Sequence, residues 1–183
     1  MINAVMKFIG GLFFFLVCVI NSLSAYNLRQ VTNSDGLTSS AVLSLLQDSN
    51  GFLWMGTCDG VNIYDGTKAY SWNGWGQLNL SGYIIEEILE THDGVIWVQT
   101  NYGLSKVDKE NRLVVDYPQF QGSYMMVKNE LGNLFFFSSS NLLYAFNEKK
   151  QEFYRLPIGT LDREDIVNLY VNEHYLIIFL KNE

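Results

Sequence analysis

Cysteine and proline are nearly missing from this chain, two of each in 183 residues, and arginine occurs four times, at 29, 112, 155 and 163. Each scarcity excludes something. The cysteines, Cys18 and Cys58, show no Cys-x-x-Cys spacing, and removal of a leader containing Cys18 leaves Cys58 without a disulfide partner. Lysine and arginine total 12 against 19 acidic residues, a net charge of −7 with no basic cluster, so this segment has no cationic surface for a nucleic acid. A Ser-His-Asp set and a glycine-rich phosphate loop are also missing, and no cofactor is expected. Beyond the N-terminal segment, no stretch shows eleven residues of clear helical periodicity.

What is present is apolar, 48% of the chain, enough to fill a core. The one long apolar run follows Lys7 and extends from Phe8 to Ile20, ahead of Asn21-Ser-Leu-Ser-Ala25. Thirteen helical residues rise about 20 Å, short of a hydrocarbon core of about 30 Å, so residues 1–25 read as a secretory signal peptide. An uncleaved anchor, or a lipoprotein attached through Cys18, is the alternative. The mature chain is expected outside the cytoplasm.

The remainder repeats. Gly51/Gly94, Trp54/Trp97, Thr57/Thr100, Gly60/Gly103 and Asp65/Asp108 are each 43 residues apart. Within one unit, short apolar runs alternate four times with turn signals, which predicts four strands. In the first unit these are Val42 to Gln47, Phe52 to Thr57, Val61 to Tyr64 and Lys68 to Trp72, with Asn50-Gly51 supplying the positive backbone angles of a tight hairpin. The second unit gives Ile84 to Glu90, Val95 to Thr100, Leu104 to Val107 and Arg112 to Tyr117. A worn third unit gives Met125 to Asn129, Leu134 to Ser138, Leu142 to Phe146 and Glu152 to Leu156, with Phe135 in the tryptophan position. A fourth opens at Ile166 to Val171 and Tyr175 to Leu180.

Repeats of 40 to 45 residues with four strands each predict an all-β fold of β-propeller blades. The expected organisation is a leader at 1–25, a lead-in strand at 26–40, and a partial propeller at 41–183, with units at 41–82, 83–122, 123–163 and 164–183. That makes about three and a half blades, the last cut short.

Residues with chemical potential mostly have a structural reading. Trp54 and Trp97 could stack on sugar, but their mid-strand place after a turn glycine fits packing between blades. Asp48-Ser-Asn-Gly51 suggests a calcium loop without its later ligands, so a hairpin turn is preferred and no metal site is expected. His92 and His174 fall in turns of different units. Glu86, Glu87 and Glu90 form the densest acidic group, expected along a solvated strand edge. The candidate ligand contacts are Trp72 and Trp75, on the glycine-rich loop Tyr70-Ser-Trp72-Asn-Gly-Trp75-Gly.

The first unit, Asp48-Ser-Asn-Gly51-Phe-Leu-Trp54-Met-Gly56-Thr57-Cys-Asp-Gly60-Val-Asn-Ile-Tyr-Asp65, resembles the repeat of the two-component regulator propellers. Val31-Thr-Asn-Ser-Asp35-Gly36-Leu37-Thr38-Ser39-Ser40-Ala41-Val42 is similar to the segment such sensors carry ahead of their first blade. The second unit departs by Thr91 in place of the leading aspartate and Gln99 in place of the glycine after tryptophan. The resemblance implies a periplasmic sensor, part of a homodimeric parent anchored in the inner membrane and joined to a histidine kinase. It also implies an oligosaccharide ligand and control of polysaccharide-utilisation genes. A propeller glycoside hydrolase or lyase is the competing reading. Its carboxylate-clamping arginines are not matched by the scattered arginines here. A truncated, non-functional gene product is the third.

Overall fold

In the computed structural model, residues 28–72, 80–111, 113–120, 122, 125–159, 161 and 165–181 are described. The leader at 1–25 and Trp75 therefore lie outside the described residues. The strands all belong to the unit that begins at Val31.

Short apolar runs between glycine-bearing turns fold as strands throughout. β1 (Val42–Gln47), β2 (Leu53–Thr57), β3 (Gly60–Tyr64) and β4 (Ala69–Ser71) make one antiparallel sheet in chain order. β5 (Ile85–Glu90), β6 (Ile96–Thr100), β7 (Gly103–Asp108) and β8 (Leu113–Tyr117) make a second. β9 (Met125–Lys128), β10 (Leu134–Phe137), β11 (Leu143–Asn147) and β12 (Glu152–Arg155) make a third, and β13 (Ile166–Val171) pairs with β14 (Leu176–Leu180). Each sheet's first strand lies against the first strand of the next, β1 on β5, β5 on β9 and β9 on β13. That is the stacking of propeller blades around an axis, first strands inward.

Stacking on both faces explains the central strands. β6 is buried at all five positions, Ile96 to Thr100, because a sheet covered on either side loses the apolar–polar alternation of a half-exposed one. Trp54, Ile63, Trp72, Ile88 and Val98 fill the space between the first two sheets. Trp97, Met126, Phe136 and Phe146 fill the next, and Phe137, Leu143 and Leu169 the one after.

The predicted strands are found, with ends shifted by one or two residues, but two local expectations are corrected. The segment at 26–40 is not a strand among its described residues; it carries a 3-10 turn at Asn33–Asp35, closed by Gly36 at φ 102°. The β1–β2 hairpin is not a two-residue turn with paired positive angles. Gly51 alone has positive φ, 88°, and its N–H closes a wider loop onto the Asp48 carbonyl at 2.9 Å.

Candidate functional site

The repeated residues build the frame. Asp48 accepts from the N–H groups of Asn50 and Phe52, both at 2.9 Å, and so shapes the β1–β2 turn. Its other oxygen accepts from the Trp54 indole N–H at 3.0 Å and from Lys109 Nζ at 3.1 Å. Lys109 also pairs with Glu90 at 2.7 Å, and Glu90 accepts from the Ser49 N–H and hydroxyl at 2.7 and 2.8 Å. Burial alone would raise the Asp48 carboxyl; the bonds from Trp54, Lys109 and Phe52 outweigh it and hold the group below the usual carboxylate range. Burial would likewise lower the Lys109 ammonium, and its two carboxylate partners raise it instead. This is a buried charge cluster between sheets one and two, not a calcium loop.

Thr57 and Thr100 do the same work in their sheets. Each hydroxyl donates to the carbonyl of the turn glycine, Gly60 at 2.8 Å or Gly103 at 3.1 Å, and accepts from the N–H of Asp59 or Tyr102. Asp65 and Asp108 close the β3–β4 and β7–β8 turns in parallel fashion, accepting from Thr67 and Lys68 or from Glu110 and Asn111. Gly94 sits at φ 80° in the β5–β6 turn. The structure also carries the period upstream of the repeat read from sequence. Thr38 contacts Thr57 and Asn62, and Ser81, 43 residues later, contacts Thr100 and Ser105 in the same way.

Three expectations about single residues change. Trp72 does not face solvent: it is 2% exposed and stacks on Trp54 with ring centroids 5.3 Å apart. Its large apolar ring finds the inter-sheet space at the end of β4. The acidic group is not a solvated edge either. Glu86 is exposed and accepts from Gln99 at 2.7 Å, but Glu90 is buried in the ion cluster. Glu87 lies against β9, where burial pushes its carboxyl up to about 7 and the Met126 N–H only partly offsets this. A bulge between Ile85 and Glu87 breaks the simple alternation expected of a regular strand. His92 and His174 lie in the β5–β6 and β13–β14 turns, on different sheets.

A groove that sequence reasoning missed opens between the β2–β3 turn, the β6–β7 turn and residues 80–83 ahead of β5. It has a volume of about 390 Å³ and is lined by Asp59, Gly60, Leu80, Ser81, Gly82, Tyr83 and Tyr102. Tyr83 and Tyr102 are 55% and 52% exposed, with ring centroids 6.2 Å apart and planes tilted by 55°. Their backbones are pinned while the rings stay open. The Tyr83 carbonyl accepts from the Gly60 N–H at 2.7 Å, and Ile84 and Asn101 are joined twice, at 3.0 and 3.2 Å. Gly82 permits this closeness, since a Cβ there would lie 2.6 Å from Asn101 Oδ1. The signal was in the sequence as a difference: Tyr102 and Tyr83 stand 43 residues after Asp59 and Ser40, at turn positions where the two units disagree.

Among the described residues that line the groove, Asp59 is the one carboxylate, with no histidine, lysine or arginine beside it. Residues 36–59 match the family described as Two component regulator propeller. The fold is similar to the extracellular domain of the putative hybrid two component system BT3049 from B. thetaiotaomicron, with TM-score 0.67 and 21% identity over 80% of this chain and 23% of that one. It is also similar to the corresponding domain of BT4673 from the same organism, with TM-score 0.63 and 19% identity over 75% of this chain and 21% of that one. Virginiamycin B lyase from Staphylococcus aureus shares the fold more distantly, with TM-score 0.51 and 14% identity over 71% of this chain and 45% of that one. A comparison with curated proteins gave no match. The chain spans under a quarter of the length of the two regulator domains. Asp48, Gly51, Trp54 and Thr57 all fall inside the matched residues and help to build the first sheet: residues 36–59 carry the two component regulator propeller repeat.

Proposed function

We propose that this chain is part of the exported, ligand-sensing propeller of a two-component regulator, and that its ligand is an oligosaccharide from polysaccharide breakdown. The observation that carries the reading is the match of residues 36–59 to the regulator repeat, on blades that stack as in extracellular domains of such systems. On this reading the N-terminal segment directs export, the intact parent is a membrane-anchored homodimer with a kinase, and the chain itself acts without catalysis. Binding would alter blade packing, and differential affinity for two packings is all that a sensor requires. No nucleic acid or cofactor enters this segment's role.

The lyase likeness, at 14% identity, supports a propeller fold and no more, and the described residues that line the groove include no paired acid and base groups. The test is titration of the chain with neutral and acidic oligosaccharide panels by calorimetry, with chromatography of the sugars afterwards. Saturable binding with unaltered sugars is expected. Cleaved product would replace a sensor with an enzyme, and no binding to any member would remove the oligosaccharide reading.

A further inference from the structure

Resting on the sensing function proposed above, we propose that the Tyr83–Tyr102 groove is the saccharide site and that it takes a neutral pyranose chain. Two half-exposed tyrosine rings in tilted contact, their centroids 6.2 Å apart, form an apolar platform with polar tips at the groove. A pyranose ring has the same mixed character: C–H groups on one face and hydroxyls at the rim. Tyrosine loses little side-chain freedom on binding, and here the flanking backbone is already fixed by the bonds of Gly60, Ile84 and Asn101.

The polar lining decides the class. The Asp59 carboxylate is at hand for sugar hydroxyls, whereas no lysine, arginine or histidine is among the described residues that line the groove. A uronic acid or sulfated sugar would bring a negative charge beside Asp59 with no cation to receive it, and a site built for hydroxyls rejects such a ligand. The groove also joins two blades, Asp59 from the β2–β3 turn of the first sheet and Tyr102 from the β6–β7 turn of the second. A sugar spanning it touches both at once.

The experiment uses the whole chain and named probes. Tetrasaccharides of glucan, mannan, galactan and xylan form the neutral set; oligogalacturonate, hyaluronan and chondroitin sulfate oligosaccharides form the acidic set. Binding to at least one neutral member is expected, with affinity falling tenfold or more in Tyr83→Ala and in Tyr102→Ala and several-fold in Asp59→Asn. Because both rings are exposed, the variants should melt within about 2 °C of the parent, as surface substitutions do. Neutral binding unchanged by Tyr83→Ala and Tyr102→Ala overturns the groove while leaving oligosaccharide sensing intact. Binding confined to the acidic set overturns the neutral assignment, and binding to neither set overturns the proposed function and this inference together.

Discussion

Lys109 reaches from the second sheet to the Asp48 carboxylate at 3.1 Å, and the position 43 residues before it is Gly66, so an ion pair between sheets one and two comes from a residue outside the repeat. Asp48 is the hinge of this contact, since it already holds its own turn and the Trp54 indole. The repeat makes a blade; Lys109 joins that blade to the next.

Removing the cation from this cluster leaves two buried carboxylates facing one another. Lys109→Met should therefore destabilise the chain by about 3 kcal/mol, roughly 9 °C in Tm, because the uncompensated charges stay buried. Urea unfolding of Lys109→Met, Asp48→Asn and the double variant checks it. Additive losses would mean that the two residues do not act together.

Trp54 and Phe135 share one position in the repeat but not one environment. Trp54 is 2% exposed with its indole N–H bonded, while Phe135 is half-buried beside a cavity of about 330 Å³ that Ala145, Phe146 and Tyr154 also line. Trp54→Phe should cost about 2 kcal/mol, from a void and the lost indole hydrogen bond to Asp48, whose oxygen keeps only Lys109. Phe135→Trp should raise stability by about 1 kcal/mol by filling space. Thermal unfolding of both variants gives the comparison, and a loss in each would contradict it.

Glu87 makes stability fall as pH rises. With its folded value at about 7 and its ordinary value at 4.5, the folded state holds more protons between those limits, so the slope of stability with pH is negative there. Glu87→Gln should be more stable than the parent by on the order of 2 kcal/mol at pH 8 and equal to it at pH 4. Asp48 has the opposite sign: its depressed value adds stability above the ordinary carboxylate range that is lost as pH falls through the folded value. Chemical denaturation from pH 4 to 8 isolates Glu87, because the Asp48 effect sets in only below its ordinary value of 3.8, and parallel profiles for Glu87→Gln and the unsubstituted chain would contradict the assignment.

Gly82 sets the spacing of the groove. An alanine Cβ would fall 2.6 Å from Asn101 Oδ1 and 2.7 Å from Thr100 Oγ1, forcing the β4–β5 connection away from the β6–β7 turn. Gly82→Ala should cost about 1 to 3 kcal/mol of stability and weaken sugar binding about tenfold, although position 82 offers no side chain to a ligand. Calorimetric titration beside a melting curve reads both; unchanged affinity would show that the Tyr83–Tyr102 geometry is not limiting.

Most of the fold was legible because glycine and asparagine turns punctuate runs of strand length, and because tryptophan in matched frames marks one packing position. The propeller followed from spacing alone. The sites were less legible, for physical reasons tied to particular residues. Trp72 reads as an exposed loop aromatic until Trp54 and Ile63 are seen to receive it. Glu87 and Glu90 read as solvated until the neighbours on either side of the second sheet, β9 for Glu87 and the Asp48 turn for Glu90, are known. Tyr83 and Tyr102 come together through the pairing of β5 with β6, which extends past Ile85 and Thr100 in the bonds between Ile84 and Asn101, so the contact depends on a register that 18 intervening residues conceal.

The most direct test is hydrogen–deuterium exchange of the chain with and without a bound neutral oligosaccharide. Protection is predicted at residues 59–60, 80–84 and 100–103, the three segments around the groove. Protection elsewhere with none at these segments would contradict the account.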